Sequence, residues 1–241
     1  MPSLLSVKNV SAGYGKLQVL TDISMEAKEA GVTVVVGPNG SGKSTLLKTI
    51  AGLTNLYEGT VILNGKAISK LPPHEIARKG LAYLPQTDST FTQLTVAENI
   101  KMAGYTVGRS DVPARLAAAL ETFPAISKYM GSKVQNLSGG ERQMVAMAMA
   151  LMRKPTVMMF DEPTANLSPK LAIQVLKTIE ALSRDRGITI VLVEQNARRA
   201  LEIGDRAYLM VGGRNAFSGE AKELLAHKEL AQMYLGLKVA Q

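Results

Sequence analysis

Residues 32–45 read VTVVVGPNGSGKST: a run of valines, a glycine-rich turn, then a lysine followed by two hydroxyl residues. The valine run is almost continuously apolar, the pattern of a strand covered on both faces. The LLKTIAG that follows, residues 46–52, reads as a helix. Between them Gly37, Gly42, Lys43 and Ser44 satisfy G-x-x-x-x-G-K-[S/T]. That order has a mechanism: glycines let backbone N–H groups curl around phosphate oxygens, while the helix directs its positive end at them. Lys43 adds a point charge and Ser44 a hydroxyl suited to Mg²⁺. Pro38, Asn39, Gly40 and Ser41 complete the turn and Thr45 follows, so residues 37–45 together suit a nucleoside triphosphate.

Such a site needs an acid on a neighbouring strand to hold the metal. TVMMFDEP, residues 156–163, supplies one: Asp161 ends an apolar strand and Glu162 follows, where strand tips meet a phosphate loop. Two acids after a strand also describe a solvated turn, but four apolar residues before them and the phosphate loop upstream favour the site. Asp161 is assigned to the Mg²⁺ shell and Glu162 to polarising the attacking water.

Outward from these two segments, GLAYLP (80–85) and ITIVLV (188–193) repeat the buried-strand pattern, with helical patterns between strands. This predicts an α/β fold with a mainly parallel sheet. After Pro169, a helix carries Leu171, Val175, Ile179 and Leu182 on one stripe, a core-packing pattern. LLSVKNV (4–10), QVLTDISME (18–26) and TVILNG (60–65) instead alternate apolar with polar residues, as in a half-exposed antiparallel layer. From about Thr87 to Arg153 the strand signal disappears, and TVAENIKMAG, DVPARLAAALETF and SGGERQMVAMAMALM read as helices. The expected organisation is a single domain over 1–241, with β layer and core from about 1–86 and 154–241 and a helical subdomain over about 87–153.

Composition sets outer limits. At 46% apolar and 20% charged, the chain has the makeup of a folded globular protein. The absence of cysteine excludes disulfides and thiolate metal clusters. MPSLLSVKNV has no basic-then-apolar leader, and the longest apolar run, Met144–Met152, is far short of the ~20 residues a membrane span needs. A role at a membrane would require spans from another chain. A net charge of +8 favours an anionic partner, but 5% aromatics and no tryptophan argue against a groove for single-stranded nucleic acid. Arg198 and Arg199 read as an exposed helix face, and His74, in a PPHE turn, and His227, in a polar C-terminal helix, lack a second ligand spaced for a metal.

Residues 137–143 read LSGGERQ. With the phosphate loop and the FDEP segment, this resembles the ATP-binding cassette (ABC) family of ATPases, from about Leu4 to Gly236. The resemblance implies ATP and Mg²⁺ as ligands and ATP hydrolysis coupled to transmembrane transport. It also implies a signature segment that touches the ATP of a second cassette, so two cassettes, identical or not, meet head to tail. Ser138 is a good N-cap, the Gly139 and Gly140 amides can approach a γ-phosphate, and Glu141 completes a capping box; read alone, the segment would be only that box. By resemblance Tyr14 stacks on adenine, and Gln86 reaches Mg²⁺ and water and relays nucleotide state to a transmembrane permease. The implied location is the cytoplasmic face of the cell membrane, peripherally, with an extracytoplasmic binding protein as indirect partner and no nucleic acid.

Two positions depart from the commoner family pattern. Ser168 stands where aspartate is frequent, and Gln195, in LVEQN, where many relatives place a histidine against the γ-phosphate. Glutamine can still donate to phosphate and orient water, so Gln195 joins Lys43 and Glu162 as a catalytic candidate, but it does not titrate near neutral pH. LVEQN and the tail ELLAHKELAQMYLGL look like the ATPase subunits of branched-chain amino acid importers. The competing readings are a lipid or lipopolysaccharide exporter ATPase, a non-transport ABC ATPase acting on DNA or ribosomes, and a binding module without catalysis. The interval from Lys43 to Ser138 leaves no room for the long coiled coil of chromosome-type members, and intact Lys43, Asp161 and Glu162 oppose lost catalysis.

Overall fold

The valine run of the phosphate-loop segment forms an inner strand of a six-stranded sheet in the computed structural model, which describes residues 3–87, 89–227, 229–230 and 234. The first half of the chain contains β1 (Ser3–Tyr14), β2 (Leu17–Lys28), β3 (Val32–Val36), α1 (Lys43–Ile50), β4 (Asn55–Leu63), β5 (Lys66–Ala67), α2 (Pro73–Arg78) and β6 (Leu81–Leu84). Three helices follow: α3 (Val96–Ala103), α4 (Val112–Thr122) and α5 (Gly139–Leu151). The remainder is β7 (Val157–Asp161), α6 (Pro169–Arg184), β8 (Thr189–Val193), α7 (Ala197–Ile203), β9 (Arg206–Val211), β10 (Arg214–Glu220) and α8 (Ala221–Ala226).

The large sheet runs β10-β9-β3-β8-β7-β6, parallel throughout except for the antiparallel pair β9–β10 at one edge. A second sheet, β2-β1-β4-β5, is antiparallel. The α/β class, the parallel core and the antiparallel layer therefore form as the alternation patterns require. Among the described residues between Leu84 and Val157 no strand forms, only an isolated bridge between Thr95 and Lys133. The hairpin β9–β10 carries no clean periodicity and was not expected. His74 lies in the first turn of α2 rather than in a loop, and His227 sits just past the end of α8; both are exposed. Part of the C-terminal segment 223–237 lies outside the described residues.

Strand alternation divides the interior in two. Val35, Val157, Met159, Val191, Val193, Tyr208 and Met210 face α1 and the antiparallel sheet, where they pack with Leu46, Leu47 and Ile50. Val34, Val36, Met158, Phe160, Ile190, Leu192 and Leu209 face the helices on the other side, among them Val145, Val175 and Ile179. Covered on both faces, the strands have no polar side, which explains their continuous apolar reading.

Asp205 pins the start of β3. Its carboxylate accepts from the Val32 N–H at 2.7 Å and from both terminal nitrogens of Arg184, at 3.1 and 2.8 Å, while its own N–H donates to the Val32 carbonyl at 2.8 Å. The strand that feeds the phosphate loop is thereby fixed to α6 and β9. Asp205→Ala should lower unfolding stability by about 2 kcal/mol, chiefly through the orphaned Val32 N–H, whereas Asp205→Asn keeps an acceptor there and loses less. Urea denaturation of the two variants checks this.

Candidate active site

Strand order sets the site. β7 is separated from β3 by β8 alone, so the tip of β7 comes beside the loop that leaves β3. Ser44, in the first turn of α1, donates to Asp161 Oδ1 at 2.8 Å across that junction. The loop itself is shaped by glycines. Gly37 has φ 149, and a Cβ there would run into the Met210 carbonyl; Gly40, at φ 76, makes the next left-handed step. Lys43 curls back over the loop, its Nζ donating to the carbonyls of Gly37 and Pro38, both at 3.0 Å. Burial lowers the Lys43 pKa, and the nearby carboxylates of Glu162 and Asp161 oppose that fall.

Around this junction lies a cavity of about 540 Å³ lined by Val19, Asn39, Gly40, Gly42, Lys43, Ser44, Thr45, Gln86, Glu162 and Gln195. The phosphate loop, the acid after β7 and two glutamines from separate loops thus share one space. Ser41 is buried beneath the loop, its N–H donating to the Pro38 carbonyl at 3.2 Å. Gln86 donates from Nε2 to Glu162 Oε2 at 3.3 Å. Glu162 adopts φ 48, a left-handed conformation rare for a carboxylate residue, of the kind held only where surroundings over-determine it. Here its N–H donates to the Val193 carbonyl at 2.9 Å, one hydrogen bond past the last paired residues of β7 and β8.

Other expected residues lie elsewhere. Tyr14 ends β1 at the tip of the β1–β2 hairpin, 42% exposed and outside the lining of this cavity; Val19 of β2 reaches it instead. Ser138, Gly140 and Glu141 line a separate cavity of about 230 Å³. There the capping box is complete: Ser138 Oγ accepts from the Glu141 N–H at 3.4 Å, and Glu141 Oε2 accepts from the Ser138 N–H at 2.7 Å. Tyr129 and Ser138 bonds hold the Glu141 carboxyl below its ordinary range. A Cβ on Gly139 would meet Leu167 at 2.5 Å, so the start of α5 is packed against the segment after Glu162. Ser168 caps α6, accepting from the Leu171 N–H at 3.5 Å. Arg198 is exposed beside Glu202, at 3.4 Å, while Arg199 is half-buried.

Two residues that motif reading passed over are tied into the site. Tyr83 donates to Asp161 Oδ2 at 3.0 Å. Glu194 is only 2% exposed and accepts from the Thr164 N–H at 3.0 Å, with the Gln195 and Asn196 amides also directed at it. Both sit inside segments read above, GLAYLP and LVEQN, but a tyrosine in a strand and an acid before a loop carry no spacing signal of their own.

The family model for ABC transporters matches residues 20–165. The chain belongs to the ABC transporter family. It is 52% identical to a probable branched-chain amino acid transport ATP-binding protein, LivF, of Archaeoglobus fulgidus, over 97% of this chain and 99% of that one. It is 34% identical to the lipopolysaccharide export system ATP-binding protein LptB of Escherichia coli (strain K12), over 96% and 97% of the two chains. Among solved structures, an ATP-binding cassette in its ADP conformation, MJ1267, superposes with a TM-score of 0.85 at 27% identity, covering 97% of this chain and 98% of that one. As an ABC cassette the chain is a nucleotide-binding ATPase.

In this ABC cassette Glu194 joins the loop after β7 to the loop after β8. Burial raises its pKa above the usual carboxylate range, against the N–H bonds that favour the charged form. An acid whose pKa rises on folding opposes folding above that pKa, where its charge is buried, and stops doing so once protonated. Glu194→Gln should therefore raise Tm at pH 7.5, and the gap to the native chain should narrow as pH falls through the raised carboxyl pKa toward the ordinary carboxylate range, as read by thermal unfolding at several pH values.

Proposed function

We propose that this chain is the ATP-binding and ATP-hydrolysing subunit of an importer that carries branched-chain amino acids through separate membrane subunits. The observation that carries the substrate is the 52% identity, over nearly both full lengths, to the LivF relative; the lipopolysaccharide exporter relative stands at 34%. No helix among the described residues is long and apolar enough to cross a membrane, which fits a subunit whose pore belongs to other chains.

The donor set suits Mg²⁺. The Ser44 hydroxyl and Asp161 carboxylate, 2.8 Å apart, are hard oxygen ligands, and Gln86, whose side chain carries an amide oxygen, lines the same cavity as Ser44. When bound, the ion neutralises charge on the β- and γ-phosphate oxygens. Lys43 and the backbone N–H groups of the loop 39–45 bind and orient the triphosphate. Glu162, held in place by the Val193 carbonyl and by Gln86, orients and polarises the attacking water, and Gln195 contributes an amide from the opposite loop. Tyr14, although outside the cavity, is placed on an exposed hairpin tip where an adenine could meet it.

Head-to-tail pairing is supported by the separation of the two nucleotide-facing parts. The signature helix start and the phosphate loop line different cavities of one chain, so Ser138, Gly139, Gly140 and Glu141 complete a site only on a second cassette, identical or not. The permease contact falls on a cleft of about 460 Å³ whose walls include Leu53, Phe91 and Met102, all at least half exposed, together with Pro85 and Ser89 on either side of Gln86. On this reading the chain sits peripherally on the cytoplasmic face of the membrane, fed indirectly by a binding protein, with the segment 87–153 as the part that relays nucleotide state.

Glu162→Gln should still bind ATP but hydrolyse it at least about 100-fold more slowly, measured as phosphate release beside nucleotide binding. Deletion of the chain should abolish uptake of radiolabelled leucine, with rescue by the native chain and not by Glu162→Gln. Unchanged leucine uptake alongside impaired lipid or lipopolysaccharide export would instead favour the exporter reading.

A further inference from the structure

The Asp161 carboxylate has two oxygens, and both are engaged. Ser44 donates to Oδ1 at 2.8 Å and Tyr83 to Oδ2 at 3.0 Å. The second contact follows from sheet register. Tyr83 on β6 pairs with Met159 on β7, so Asp161 lies two residues further along the same face, a diagonal neighbour that an aromatic side chain can reach. Asp161 itself is 4% exposed, so an oxygen left without a donor there would be desolvated and unpaired. Nor would the carboxylate hold its plane unaided, since the last torsion of an aspartate is soft.

We infer that Tyr83 is a positioning residue for metal binding: its hydroxyl occupies Oδ2 of Asp161, fixes the plane of the carboxylate and leaves Oδ1, on the Ser44 side, aimed at the cation. This rests on the reading of Asp161 as a Mg²⁺ ligand. It also gives β6 a double role. Tyr83 touches one acid of the site and Gln86, three residues later, touches the other, Glu162.

The test uses the purified full chain and Tyr83→Phe, which keeps the ring and removes only the hydroxyl. Binding of a fluorescent ATP analogue is titrated with Mg²⁺ and compared with binding in EDTA. Tyr83→Phe should need about three- to tenfold more Mg²⁺ for half-maximal metal-dependent binding, the loss of one buried hydrogen bond, with affinity in EDTA unchanged. An unchanged Mg²⁺ requirement overturns the inference. So does an equal loss with and without metal, since that marks general damage to the pocket. Asp161→Asn, run beside it, separates the two levels. If Asp161→Asn raises the Mg²⁺ requirement and Tyr83→Phe does not, Asp161 stands as a ligand and the role of Tyr83 fails. If neither raises it, the metal reading of Asp161 fails as well.

Discussion

One hydrogen bond joins the two halves of the site: the Ser44 hydroxyl to the Asp161 carboxylate, 2.8 Å across the junction between α1 and β7. It exists because β8 alone intervenes between β3 and β7, and because all three strands run parallel and end on the same edge. This order brings the tip of β7 beside the loop that leaves β3. The remainder of the site is assembled around that contact. Lys43 is folded onto the loop carbonyls, Glu162 is held by the last carbonyl of β8, and Gln86 arrives from the end of β6.

Legibility in the sequence followed contiguity. The phosphate loop, the DE pair and the signature segment were readable because each is a short run whose chemistry is complete within a few residues. Buried strands were readable because both faces are covered and polar residues are excluded. What escaped depends on partners far away in the chain. Tyr83 matters through a residue 78 positions distant, and Asp205 through one 173 positions distant; neither has a local pattern to betray it. The β9–β10 hairpin escaped for another reason: β10 alternates exposed and half-buried residues at a sheet edge, so its apolar content is too low to register.

Tyr14 stands on an exposed hairpin tip outside the lining of the phosphate cavity, which Val19, five residues later on the facing strand, does line. The local structure of the signature segment, a capping box at the start of a helix, is complete within one chain, and it lines a different cavity from the phosphate loop.

The central sheet also works as a bulkhead. Helices α3 to α8 share their apolar packing with one of its faces, and α1 with the antiparallel sheet shares the other, with no buried side chain common to both clusters. A tilt of α3–α5 would therefore load one compartment and spare the packing beneath the phosphate loop. At the strand tips Gln86, Glu162 and Gln195 line the cavity beside the phosphate loop, so the residues that face the nucleotide site stand at the boundary between the two compartments rather than deep within either.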